Sequence, residues 1–504
     1  MTNRVLMLAT CAGALSAPAL AQCVPPDAIN EAAIANQLMV RVAPGFNDAH
    51  VLTLVNQHYP GATVIREIDG FQTYLMHLPL PAGQDICFAA EFLEDLYAWR
   101  RADEPEPGVP MRWAEANYAG QASNGSTGTI YDSRPVLYQA NYMTQYAVDS
   151  LGVTVAHPHS TGRGTVVAIV DTGIDSTHPD LAGRMMAGGY NFISMSPATL
   201  PTQDGINNDG DGATDELWVH GTYVAGLVAL VAPEARLLPV VALNDDGASN
   251  NFVIAQAIYY AVEQGADVIN LSCGSTYESE VVFDVIQHAR ENGVVCVGAA
   301  GNRGGLNVSI EEAPAVFQGC VGVAGVNAVG VRAAFSNYHT DLDLCAPAVS
   351  RRLPGDPSQY DEVNSIYSTI PGGIYGIWEG TSVAAPFVSA TAALIISQET
   401  SWQRDANRAD STMSRMFSTS LNIDGLNPPQ VQNQIGRLLR TGLAAQQGPV
   451  QPLQGDLNRD RAVDLQDLAL MLRDFGLTDS LADVNMDGSV GLVDLAYLLI
   501  NFGL

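Results

Sequence analysis

Four residues carry groups that could act together on a carbonyl. Ser382 sits in Gly380-Thr381-Ser382-Val383-Ala384-Ala385-Pro386, ahead of an apolar run with helical spacing. A serine hydroxyl is a weak nucleophile. It needs a base within hydrogen-bond reach, a group that orients the base, and donors for the oxyanion it creates. His220, in His220-Gly221-Thr222, opens a helical run and is the candidate base. Asp171, in Asp171-Thr172-Gly173-Ile174-Asp175, follows the apolar strand 166–170. A carboxylate at the end of a parallel strand faces the crevice where such folds bind ligands, so Asp171 is the candidate orienting group. Asn302 closes Ala299-Ala300-Gly301-Asn302 after the apolar run 294–297 and offers an amide donor. The backbone N–H of Ser382, in a first helical turn, is the second donor. Each motif alone has a plain structural reading: a turn, a helix start, a capping turn. Together they form a constellation for nucleophilic attack on a carbonyl.

The elements that must position these groups read as an α/β region over residues 138–443. Short apolar runs (166–170, 237–241, 268–271, 294–297, 321–323) alternate with helical stretches. That alternation predicts a doubly wound parallel sheet. Ahead of it, residues 35–118 read as β-α-β-β-α-β, a ferredoxin-like α+β unit with a hairpin at Asp69-Gly70. Residues 119–137, rich in Gly, Ser and Thr, read as an exposed linker, and 444–454 as a second. Residues 1–21 read as a signal peptide: Arg4, an apolar run, and the small-residue cleavage site Ala19-Leu20-Ala21.

Composition narrows the partners. The 504-residue chain has a net charge of −30, and all 23 basic residues are Arg. Such an acidic surface excludes nucleic acid as a partner and suits cations or solubility. Beyond the signal no apolar stretch is long enough to span a membrane. Of seven cysteines, Cys23 and Cys87 could pair, while Cys273, Cys296, Cys320 and Cys345 allow either disulfides or buried thiols.

Residues 455–504 repeat with a 27-residue offset, from Asp456 to Asp483. Asp456, Asn458, Asp460, Asp464 and Asp467 fall at positions 1, 3, 5, 9 and 12 of a calcium loop. Asp483, Asn485, Asp487 and Asp494 fall at 1, 3, 5 and 12 of a second, so a small all-α calcium-binding domain is expected. In the first loop Arg461 stands where Gly normally makes the turn. A third acidic run carries oxygens on Asn207, Asp209, Asp211 and Asp215. It reads as a Ca²⁺ site near the constellation or as a flexible acidic loop.

The middle of the chain resembles the subtilisin-like serine proteases (subtilases, peptidase S8). The matching stretches are 171–175, 220–226 (His-Gly-Thr-Tyr-Val-Ala-Gly), 268–274 (Val-Ile-Asn-Leu-Ser-Cys-Gly), 299–302 and 380–386. The resemblance implies a serine-type endopeptidase in which Ser382 attacks, His220 shuttles the proton, Asp171 orients His220, and Asn302 with the Ser382 N–H holds the oxyanion. It implies that Ser272, Cys273 and Gly274 pair with the substrate backbone. It also puts Glu312 beside the first specificity pocket, favouring Arg or Lys there; the alternative is a solvated acidic loop. The 35–118 unit resembles the inhibitory propeptide of these enzymes, implying a zymogen cleaved within residues 101–130. The 455–504 tail resembles a type I dockerin, implying a cohesin-like or cell-surface scaffold partner, although Leu465-Gln466 and Leu492-Val493 replace the usual Ser/Thr pairs. The combined expectation is a secreted, monomeric protease of protein and peptide substrates that uses Ca²⁺. The rival is a catalytically silent protein recruited to a scaffold by its tail. A carbohydrate-active enzyme lacks a flanking carboxylate pair in frame.

Overall fold

The computed structural model describes residues 33–81, 84–98, 109–122, 138–304, 311–350, 352–353, 356–448, 465–476, 482 and 490–500. The signal reading for 1–21 lies outside them, as does Cys23.

The N-terminal unit comprises β1 (Ala33–Val42), α1 (Asp48–His58), β2 (Thr63–Ile68), β3 (Thr73–His77), α2 (Ile86–Tyr97) and β4 (Met111–Ala122). Its strands lie in the order β4–β1–β3–β2, with every neighbouring pair antiparallel. The turn between β2 and β3 holds Gly70 at φ +81°, a conformation that costs glycine little. Asn47 caps α1 by accepting from the His50 N–H, and Asp85 caps α2 through the Cys87 N–H. Leu38, Val40, Val55, Met76 and Leu93 fill the space between the sheet and its helices.

The larger unit starts with α3 (Tyr138–Thr144), α4 (Tyr146–Leu151) and α5 (Val153–Ala156). It continues through β5 (Val166–Asp171), β6 (Tyr190–Asn191), α6 (His220–Val231), β7 (Arg236–Val241), β8 (Ala248–Asn250) and α7 (Asn251–Glu263). Next come β9 (Val268–Leu271), β10 (Cys273–Gly274), α8 (Glu280–Glu291), β11 (Val295–Ala299), β12 (Cys320–Val326) and β13 (Leu344–Pro347). Two hairpins follow, β14 (Arg352–Leu353) with β15 (Asp356–Tyr360) and β16 (Tyr367–Ile370) with β17 (Ile374–Ile377). The unit ends with α9 (Thr381–Gln398), α10 (Ala406–Thr419), β18 (Arg437–Leu438) and α11 (Thr441–Gln446).

Eight of these strands form one sheet in the order β18–β13–β12–β11–β9–β5–β7–β6, with all neighbours parallel. The sheet is the parallel α/β arrangement expected from the alternating pattern. Its central strands are buried throughout, which is why they read as continuous apolar runs. Helices α6 and α9 pack together, as do α7 and α8. Winding reverses at β5, which has β7 on one side and β9 on the other, so a crevice opens at its carboxyl end. Helix α9 is apolar and long enough to cross a membrane, yet all 18 residues are buried in the protein, as a core helix requires.

Two expectations need correction. Residues 119–122 are the end of β4 and not exposed linker. Ala119, Gly120 and Gln121 pair antiparallel with Asn250, Ser249 and Ala248 of β8, while Gln121 and Ala122 pair with Gly274 and Cys273 of β10. The Gly- and Ala-rich sequence has little strand preference of its own, and these remote edges decide its conformation. The cysteine alternatives also resolve: Cys87, Cys273, Cys296, Cys320 and Cys345 are all buried free thiols. Cys87 is a free thiol and lies 3.2 Å from the Tyr118 hydroxyl. Burial raises the Cys296 thiol to about 12 and pushes Cys273, Cys320 and Cys345 up as well, which keeps them protonated and inert.

In the tail, α12 (Leu465–Asp474) packs on α13 (Leu492–Ile500) around Met471, Ala482, Val490 and Leu498.

Candidate active site

Asp171 is the last residue of β5 and His220 the first of α6. Both are sealed from solvent. His220 Nδ1 lies 2.8 Å from Asp171 Oδ1 and 3.0 Å from Oδ2. A carboxylate only accepts, so Nδ1 carries the proton and Nε2 is left with a lone pair. Nε2 is buried and has no hydrogen-bond partner among the described residues. Burying such an atom without a partner is costly, so its presence calls for an explanation, and a catalytic base supplies one. The Trp378 ring meets the imidazole edge-on at 5.4 Å and limits its rotation.

The close approach of these elements explains two glycines. A Cβ on Gly221 would fall 2.4 Å from the Gly173 carbonyl, so the helix start and the 171–175 turn could not meet around any larger residue. A Cβ on Gly226 would strike the hydroxyls of Ser368 and Thr369 on β16 at 2.3 Å.

Ser382 is the second residue of α9 and is buried. Pro386 has no N–H, so the Ser382 carbonyl lacks its usual helical partner four residues on. The Ser272 hydroxyl donates to that carbonyl at 3.1 Å. Asn270 in turn donates to Ser272 Oγ at 2.9 Å and accepts from Ser389 Oγ at 2.8 Å. A chain of hydrogen bonds thus ties the serine-bearing turn to the strand edge at 272–274. Sequence reading did not single out Asn270 or Ser389; the asparagine inside an apolar strand was the available signal.

Asn302 follows β11, and its side-chain carbonyl accepts from Thr381 N (2.9 Å) and Thr381 Oγ1 (3.1 Å). Thr381 Oγ1 also accepts from the Gly301 N–H at 3.0 Å. The amide's carbonyl end is therefore committed to the start of α9, and its donor end, Nδ2, is the part suited to an oxyanion.

Glu312 is not on a solvated loop. It is 5% exposed, and Oε1 accepts from Asn337 Nδ2 at 3.0 Å and lies 3.8 Å from Arg303 Nε. It sits against Gly274 and Gly301, the segments that flank the cleft.

The acidic run is rearranged relative to the sequence expectation. Asn207, Asp209, Asp211 and Asp215 do not converge on one point. Asp215, at φ +54°, turns back to join Asp204 and Asp245, while Asp209 and Asp211 group with Glu216. Asn207 Oδ1 closes a local turn by accepting from the Gly210 N–H at 2.7 Å. Within each group the carboxylate oxygens lie inside 4.8 Å of one another, a hard-oxygen donor set that could hold a metal. Burial, then the neighbouring Asp211, Asp246 and Asp209 charges, raises the Glu216 carboxyl to about 7. Its Oε2 is buried with no hydrogen-bond partner among the described residues. Burial also raises Asp245, followed by the charge of Asp204.

Of the tail ligands, Asp456, Asn458, Asp460, Asp464, Asp483, Asn485 and Asp487 lie outside the described residues. Asp467 is in α12, and Asp494 is buried in α13, where Oδ2 accepts from the Gly491 N–H at 2.7 Å.

Residues 162–436 match the Subtilase family. Subtilisin NAT of Bacillus subtilis subsp. natto is 35% identical over 268 residues, which are 51% of this chain and 62% of that protein. Subtilisin of Bacillus pumilus is 35% identical over 268 residues, 51% of this chain and 86% of that protein. This chain therefore spans less than two thirds of the first relative's length. Among solved structures, fervidolysin from Fervidobacterium pennivorans, a keratinolytic enzyme related to subtilisin, superposes with a TM-score of 0.61 at 22% identity. The superposition covers 84% of this chain and 62% of fervidolysin, and shows likeness of fold.

Proposed function

This chain belongs to the subtilase family of serine-type endopeptidases, and from that premise we propose that it is a secreted zymogen cutting proteins and peptides through Asp171, His220 and Ser382. The observation that carries the reading is the buried Asp171–His220 contact, with its unpartnered Nε2, at the mouth of the β5 crevice. Ser382 Oγ attacks the scissile carbonyl while His220 Nε2 takes its proton. Asp171 holds the imidazole in the Nδ1–H form and stabilises the imidazolium. The Ser382 N–H and Asn302 Nδ2 bind the oxyanion, each such donor being worth roughly 2.7–4 kcal/mol. His220 then protonates the leaving amine. Water, activated by the same imidazole, releases the acyl group.

Substrate adds as an extended strand between β8 and β10, with Ser272, Cys273 and Gly274 on one edge. The N-terminal unit is the inhibitor, and β4 is its product-like strand; the double pairing of β4 supports this. Maturation cleavage falls shortly after Ala122, still within residues 101–130. Calcium is the cofactor, held by the acidic groups around residues 204–216 and by the tail loops. The tail docks a scaffold or surface partner. Leu465, Leu492 and Val493 are exposed there, which favours an apolar contact over the Ser/Thr-mediated one of cohesin binders. The acidic surface keeps the protein monomeric and off nucleic acid.

A fluorophosphonate probe tests the central claim. Covalent labelling of Ser382, lost in Ser382→Ala, is expected, and an unlabelled wild-type protein would sink the reading. N-terminal sequencing of active secreted protein should give a start soon after Ala122; a start near Gln22 excludes the inhibitory role.

A further inference from the structure

We infer that this cleft selects small, uncharged side chains, and that the Arg303–Glu312 pair sets this choice at the residue whose carbonyl is attacked. The inference rests on the endopeptidase reading above and names its substrate class.

The first observation is what fills the pocket. A Cβ on Gly301 would lie 2.2 Å from the Glu312 carboxyl carbon, and one on Gly274 would lie 3.6 Å from Oε2. The carboxylate, and not open space, is the floor between the two segments that flank a bound peptide. It is also fixed. Asn337 spends its amide on three bonds: it donates to the Ala300 carbonyl (2.8 Å) and to Glu312 Oε1 (3.0 Å), and accepts from the Arg303 N–H (2.8 Å). The Arg303 side chain stands 3.8 Å from Oε1, so the charge on the floor is compensated from within the chain. An incoming cation would meet Arg303 as well as Glu312 and would gain little. A large apolar side chain would have to cover an ion pair, stripping it of water. A small neutral side chain leaves the pair undisturbed.

The second observation is the strand already in the cleft. Ala119, Gly120, Gln121 and Ala122 carry no charge, and all but Gln121 are small. A Cβ on Gly120 would come 2.9 Å from Ile254 Cδ1, so Ile254 narrows the subsite three residues before the one opposite Ser272. Ala122 is 1% exposed. A peptide continuing this register would put its next residue opposite Ser272; in this chain that residue is Ser123, and no basic residue stands between Arg112 and Arg134. A pocket demanding Arg or Lys would have nothing to seat in its own strand.

The test uses active secreted protein and peptides of the form Ala-Gly-Gln-Ala-X, cut after X, with X being Ala, Ser, Leu, Phe, Lys or Arg. Ala and Ser should be cut with kcat/KM about tenfold or more above Arg and Phe. Arg303→Gln uncovers the carboxylate and should raise the Arg-to-Ala ratio about tenfold. Glu312→Ser lowers the floor and should raise the Phe-to-Ala ratio instead. Fluorophosphonate labelling of each variant reports an intact site independently of specificity. Wild-type preference for Arg, or ratios unmoved by both substitutions in labelled protein, overturns the inference while leaving the endopeptidase reading in place. Absent labelling of wild type removes both.

Discussion

Asp171 and Glu115 are both buried carboxylates, and they are satisfied in opposite ways. Asp171 faces an imidazole that can become a cation, inside the larger unit. Glu115 lies on β4, in the contact between the two units, and no cation pairs with it in the described hydrogen bonds. Its oxygens accept from Ser279 Oγ (2.8 Å), the Glu280 N–H (3.1 Å) and the Val281 N–H (2.9 Å) at the start of α8. These donors and the helix dipole favour its charge, yet burial outweighs them and raises the carboxyl to about 8. Glu94 and Glu280, which line the same interface cavity, are raised by burial and by neighbouring acids too. Nearby Asp284 is the counter-example. It is equally buried but takes Trp113 Nε1 at 2.8 Å and the guanidinium groups of Arg41 and Arg112. The contrast separates a carboxylate held against a titratable base from one held by neutral donors alone.

Neutralising each carboxylate is the sharpest way to break this comparison. Asp171→Asn should lower kcat about 10⁴-fold on any cleavable peptide, because the amide favours the wrong imidazole tautomer. Steady-state hydrolysis measures it, and a loss under tenfold would remove Asp171 from the orienting role. Glu115 should act through pH. The docked carboxyl keeps its proton up to about 8, whereas a released one loses it near the ordinary 4.5, so docking takes up a proton between these values. Glu115's contribution to the contact is fully present below about 4.5 and is lost as pH rises through 8, by at most about tenfold per unit. In the uncleaved Ser382→Ala chain, hydrogen exchange at Ala119–Ala122 should speed up from pH 5 to 8 beyond its intrinsic rise, and Glu115→Gln should flatten that dependence. A flat wild-type profile contradicts the account. The smallest effect concerns the grouped carboxylates of Asp204, Asp215 and Asp245, which no cation side chain pairs with in the described contacts. Chelation should lower Tm by a few degrees, on the order of 1 kcal/mol, and Asp215→Asn with Asp245→Asn should reduce the response. An unchanged Tm in both proteins argues against a stabilising ion at residues 204–216.

How far the sequence could be read follows from how local each determinant is. Asp171, His220, Asn302 and Ser382 stand at strand ends and helix starts, where apolar periodicity marks the junctions directly. The parallel sheet was legible for the same reason, because strands buried on both faces are unbroken apolar runs. The end of β4 was not, since Ala119–Ala122 become a strand only through edges at 248–250 and 273–274. The acidic run misled because the grouping depends on Asp245 and on the left-handed turn at Asp215, neither of which spacing along 204–216 reveals. Whether Cys296 and Cys320 bond was equally invisible: they are register partners on adjacent strands, yet both stay reduced.

The pairing of β4 with two short strands also bears on the cleft that the proposed release of the N-terminal unit would leave. Two bare backbone edges are then exposed facing each other across a gap one chain wide, the arrangement that invites a third strand from any source. Only a segment that can surrender its own helix or sheet will fit, for every donor and acceptor must turn outward at once. On the proposed endopeptidase reading, substrates would be sorted by looseness before any side chain is inspected: frayed termini, long loops and unfolded chains would enter, and well-packed domains would not.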